Sequence, residues 1–142
     1  MNSTNSFAGW SATTKLFLVC IAAWVAGLCA YLGALGALYH ESISRGDLGA
    51  VALWSVIAYL VCLAAIYFPV LLGLRRMLGG SRPLWPFPLV AMLSGIAPTA
   101  IIVAVYGGRP ADLLSHEAVL FYAMFGAVGL VLGLGVPRLY PR

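Results

Sequence analysis

Charge is what this sequence has least of: only 8% of its 142 residues are Asp, Glu, Lys or Arg, against about a quarter in soluble domains. With 63% of residues hydrophobic, that scarcity excludes an ordinary water-soluble globule and a disordered tail. Cysteine is scarce too. Cys20, Cys29 and Cys62 are odd in number, lie inside apolar runs and form no CxxC pair, which excludes a disulfide scaffold and the paired thiols of a quinone-linked oxidase. Lysine occurs once, at Lys15, and Gly79-Gly80-Ser81 runs into Arg82-Pro83. It is a turn, not a loop built to cradle phosphate.

What the sequence does have is apolar length. Four runs, 16–39, 48–74, 84–106 and 118–136, contain no ionisable side chain; Arg75 follows the second and Arg138 the fourth. About 20 apolar residues in a helix cross a hydrocarbon core of roughly 30 Å. Barrel strands would be shorter and would alternate, so these runs predict helices. The polar, uncharged stretch before Lys15 lacks the basic start of a secretory signal, and the first run is too long for one, so it reads as a retained anchor. The expected fold is all-α: one integral membrane domain over residues 1–142, a four-helix bundle running up-down-up-down.

Basic residues resist translocation, so their distribution sets sidedness. With the amino terminus inside, Lys15, Arg75, Arg76, Arg82, Arg138 and Arg142 are cytoplasmic, and only Arg45 and Arg109 lie outside. All four acids and both histidines then fall outside as well. The expectation is a multi-pass protein of the cytoplasmic membrane with both termini inside. The net charge of +4 is a topology signal and implies no nucleic-acid partner. Tyr39, Trp54, Tyr106 and Tyr122 fit an outer aromatic belt, and Trp10, Tyr67, Trp85 and Tyr140 an inner one.

Hydrophobic burial cannot drive association between helices already in hydrocarbon; close backbone approach through small residues replaces it. The first run offers Ala23, Gly27, Ala30, Ala34 and Ala37, with Leu28, Tyr31, Leu32 and Leu35 turned elsewhere. The second offers Ser55, Ala58, Cys62 and Ala65, the third Ala91, Gly95 and Pro98, and the fourth Tyr122, Gly126, Gly129 and Gly133. These stripes predict packing within the chain, with association between chains as the alternative. Prolines mark the starts, ends and bends of the helices. Pro83, Pro86 and Pro88 crowd the start of the third helix and Pro137 ends the fourth. Pro98, between Ser94-Gly95 and Thr99, predicts a mid-membrane break.

Protons and coupling ions are usually handled by ionisable residues inside the membrane, and none of the four runs carries one. A path lined by Ser94, Pro98 and Thr99 would have to work through hydroxyls and carbonyls. Titratable groups gather instead in the loops. His40, Glu41, His116 and Glu117 are residue types that bind divalent metal. Local roles account for them equally: Asp47 and Ser115 as N-caps of the second and fourth helices, Glu117 at the positive end of the fourth, and His40 at the negative end of the first. The pairs His40-Glu41 and His116-Glu117 echo one another, but their surroundings do not align as a repeat.

No cofactor is evident. The expected partners are the lipid bilayer and other membrane subunits or further copies of the chain. These features predict a non-enzymatic subunit, scaffold or accessory factor of a membrane assembly. A homo-oligomeric transporter, channel or flippase is the first alternative, and an outer-face metal or haem site on His40 and His116 the second. Seven arginines against one lysine, with abundant Ala and Gly, point to a GC-rich bacterial genome.

Overall fold

The computed structural model describes residues 11–78, 84–106 and 109–139. Trp10, Gly79-Gly80-Ser81, Arg82, Pro83, Tyr140 and Arg142, read above as belt, turn, helix-start or sidedness markers, lie outside the described residues. Five α-helices follow one another: α1 (Ala12–Tyr39), α2 (Arg45–Cys62), α3 (Phe68–Met77), α4 (Pro86–Tyr106) and α5 (His116–Leu139). A π-turn, Leu63–Tyr67, fuses α2 to α3, so the four spans are Ala12–Tyr39, Arg45–Met77, Pro86–Tyr106 and His116–Leu139. Each is long and apolar enough to cross a bilayer, and the described chain is helical with no strand. The protein is an all-α, multi-pass membrane protein.

The helix ends are built from short polar side chains. Ser11 caps α1 by accepting from the Thr14 amide at 3.2 Å. Ser44 caps α2: its Oγ accepts from the Asp47 amide at 3.2 Å and donates to Asp47 Oδ2 at 2.7 Å. Asp47 is therefore the third residue of that cap and not the cap itself, because the helix begins at Arg45, earlier than the apolar run suggested. Ser115 caps α5 as expected, accepting from the Ala118 amide at 3.3 Å. At its far end α5 continues past Pro137 to Leu139 instead of stopping before it. Arg138 Nη1 donates to the Leu134 carbonyl at 3.1 Å, satisfying one of the acceptors a helix end leaves over.

α5 lies between α1 and α4, and these two pairings supply the closest backbone approaches. Small residues make them possible. A Cβ on Gly129 would run into the Ala91 carbonyl, its C atom at 2.6 Å and Met92 Cα at 2.7 Å, and one on Gly133 would meet Phe87 O and Pro88 N at 2.6 Å. Gly27 on α1 leaves room for Val128, whose Cγ2 would sit 2.6 Å from an added Cβ. The stripes on α4 and α5 thus face each other within one chain. Gly126 is less constrained, its nearest neighbour being Ile96 Cδ1 at 3.4 Å. Ala23 and Gly27 are buried, while Ala30 and Ala34 are half-buried. Leu35 is buried and Ala37 exposed, reversing the expected assignment at the end of α1.

The second span packs differently. Its buried positions are Ser55, Tyr59, Leu63, Tyr67 and Leu71, every fourth residue, and Ala65, expected in the seam, is exposed. In a regular α-helix four residues advance about 400°, so such a stripe drifts about 40° per step. The π-turn inserts one extra residue and turns the stripe back toward the core. Pro69 lies two residues beyond it. Having no N–H to donate and a ring that crowds the carbonyl four residues back, proline favours this local widening. The departure from α geometry therefore falls before Pro69, whereas α4 runs through Pro98 without the predicted break.

Because the second span presents large side chains where the others present glycine, it stands off from α1 despite the short connection between them. The core it completes holds Ala23, Tyr59, Leu63, Tyr67, Leu71, Phe87, Ala91, Val128 and Leu132.

Candidate functional site

Hydrogen bonds from side chains inside the membrane tie the second span to its neighbours. Trp24 Nε1 donates to Ser55 Oγ at 3.0 Å, and Ser55 passes its own proton to the Ala52 carbonyl at 2.8 Å. Tyr59 donates to the Cys20 carbonyl at 2.8 Å. Tyr67 is wholly buried and donates to the Phe125 carbonyl at 2.7 Å. Tyr67 is accordingly no belt residue. The ring is pulled inward because Gly95 leaves a hollow for its hydroxyl. Trp54, Trp85 and Tyr106 are exposed, as belt residues would be.

Between α1, α2 and α5 the stand-off leaves a groove of about 400 Å³, lined by residues including Leu28, Tyr31, Trp54, Ala58 and Met124, with Asp47 at its loop end. A second groove of about 300 Å³ lies along Phe17, Ile21, Trp24, Tyr59 and Leu60. Trp24 lines the second groove and Ser55 the first, so their hydrogen bond marks the boundary between them. Both grooves are almost purely apolar.

At the end of the bundle that carries the α1–α2 and α4–α5 connections, two of the metal candidates come together. The His116 imidazole stacks on the Tyr39 ring with centroids 3.4 Å apart and planes at 17°. Its Nε2 lies 3.9 Å from Glu41 Oε2. His40 stands at the C-cap of α1 in the left-handed conformation, φ 54°, and Glu117 lies in the first turn of α5. Among the described residues no three His, Cys, Asp or Glu side chains gather closely enough to share a metal ion. What the cluster does is join the end of α1 to the start of α5. The two His-Glu pairs also occupy unlike places, one ending a helix and the other beginning one, so their echo is not a structural repeat.

The path residues expected from the sequence all lie on α4. Ser94 Oγ donates to the Val90 carbonyl one turn back at 2.7 Å, and Pro98 and Thr99 are half-buried on the same continuous helix. Sequence reading missed the aromatic braces. Tyr59 lies four residues after the small Ser55, and the π-turn, signalled only by Pro69, keeps Tyr67 on the same buried face. No family model, curated protein or solved structure matches this chain.

Proposed function

We propose that the protein is a non-enzymatic subunit, scaffold or accessory factor of a membrane assembly, resident in a bacterial cytoplasmic membrane with both termini inside. The observation that carries this reading is the use made of the polar side chains within the spans. Ser55, Tyr59, Tyr67 and Ser94 each donate to a backbone carbonyl, so these hydroxyl protons are committed to holding the fold. Meanwhile the lateral faces of α2 and α4 present bulky apolar side chains: Leu53, Trp54, Ile57, Leu60 and Val61 on one, Leu93, Ile101, Ile102 and Val105 on the other. These surfaces suit neighbouring hydrocarbon or neighbouring helices.

The seams at Gly27, Gly129 and Gly133 are used within the chain, so a protein partner docks elsewhere on the bundle's outer surface. Sidedness rests on the excess of basic residues at the Lys15, Arg75 and Arg138 end. Cross-linking in native membranes, followed by extraction in several mild detergents, tests the reading. A reproducible protein partner is expected, and monomers alone in every detergent would overturn it. Terminal tags should resist impermeant reagents on intact cells.

A further inference from the structure

The larger groove has dimensions that select its occupant. It follows α2 from Asp47 to Ala58, eleven helical steps, or about 16 Å at 1.5 Å per step. That is about half of a 30 Å hydrocarbon core, the depth of one leaflet. A single polymethylene chain is far slimmer than an α-helix, which is about 10–12 Å wide with its side chains, and it fits an apolar groove of about 400 Å³ and this length.

Its ends differ in chemistry. The inner end, at Ala58 and Met124, is apolar, and the outer end carries the exposed carboxylate of Asp47. The surrounding bundle end is acidic on balance: Glu41, Asp47, Asp112 and Glu117 against Arg45 and Arg109. An anionic headgroup would be repelled there, and a primary ammonium would find a charge-assisted acceptor. We propose that this groove is a binding site for one acyl chain of an aminophospholipid, with its ammonium headgroup at Asp47. The proposal stands apart from the subunit reading, because a lipid in this groove leaves the apolar face of α4, with Leu93, Ile101, Ile102 and Val105, open to a protein partner.

Native mass spectrometry of the full chain in mild detergent provides the test, with phosphatidylethanolamine and phosphatidylglycerol of identical chains added in equal amounts. The native protein should retain one phosphatidylethanolamine about fivefold in preference to phosphatidylglycerol, the effect of one interfacial charge. Asp47→Asn should erase that preference while chain binding persists. Ala58→Phe and Ala50→Phe, both on the lipid-facing wall, should abolish retention while helicity by circular dichroism stays native. Equal retention of the two lipids by the native protein, or undiminished retention by both filled variants, overturns the proposal. A photo-cross-linker at position 54 in native membranes decides independently of whether those variants fold. Cross-links to phosphatidylethanolamine are expected, and cross-links to a second copy or to another protein in place of lipid would overturn it.

Discussion

The hydroxyl of Tyr67 occupies the space in which a side chain on Gly95 would begin. Two spans far apart in sequence are thereby matched, one giving up a side chain where the other extends one. Gly95→Ala should therefore lower stability by about 1–3 kcal/mol, the usual cost of overpacking. Tyr67→Phe alone should cost about 1 kcal/mol for the lost bond to Phe125. Thermal unfolding in detergent of both variants and the double variant measures the coupling. The double variant should lose less than the sum of the two, since the missing hydroxyl makes room for the methyl. Simple additivity would mean that the two residues do not share this space.

Glycine identity should matter very unequally along α5. Gly129→Ala sets a methyl against the backbone of α4, which cannot yield, and should cost about 1–3 kcal/mol. Gly126→Ala meets only the flexible side chains of Ile96 and Met92, at ordinary contact distance, and should be neutral, or gain up to about 1 kcal/mol from helix propensity. Comparable losses at both positions would be inconsistent with the α4–α5 contact described.

His40 holds a left-handed conformation that costs an ordinary residue about 1–2 kcal/mol. His40→Gly should relieve part of that and raise the unfolding temperature, whereas a β-branched residue such as valine should lower it. If His40→Gly destabilises the protein, the imidazole must contribute more than a helix cap.

A π-turn is an α-helix with one residue too many, so removing a residue there should be absorbed locally. Deleting the exposed Ala64 should leave a folded protein with a regular helix in place of the turn. Deleting Ala127 from α5 should instead rotate the rest of that helix by about 100° and unfold the bundle. Retained helicity and a cooperative thermal transition for the first deletion only is the expected result.

Much of this architecture is legible in the residues because hydrocarbon is an undemanding reader: an uncharged run of sufficient length has one stable outcome. The small positions of the α4–α5 seam, Ala91, Gly95, Gly129 and Gly133, were readable from their spacing, whereas the pairing of these two helices was not. The second span was not. Its small residues suggested a seam through Ser55, Ala58, Cys62 and Ala65; Ser55 is buried, but beyond it the buried face belongs to Tyr59, Leu63 and Tyr67, with the π-turn keeping Tyr67 on that face. The candidate site was legible only as a collection of residue types. That His116 would meet Glu41 and Tyr39 while His40 serves as a left-handed cap depends on where α1 stops. The lipid-facing groove has no signature at all, because it arises from the distance that aromatic braces impose between two helices.

The position of α5 carries a consequence for how the protein is made. It is the helix against which α1 and α4 lie and to which Tyr67 is fastened, yet it leaves the ribosome after all three. Until it is inserted, the earlier segments have only the bonds of Trp24 and Tyr59 and the fit of Tyr67 against Gly95 to hold them together. Maturation therefore finishes late, and a chain interrupted before His116 offers the cell's proteases a bundle without its central wall.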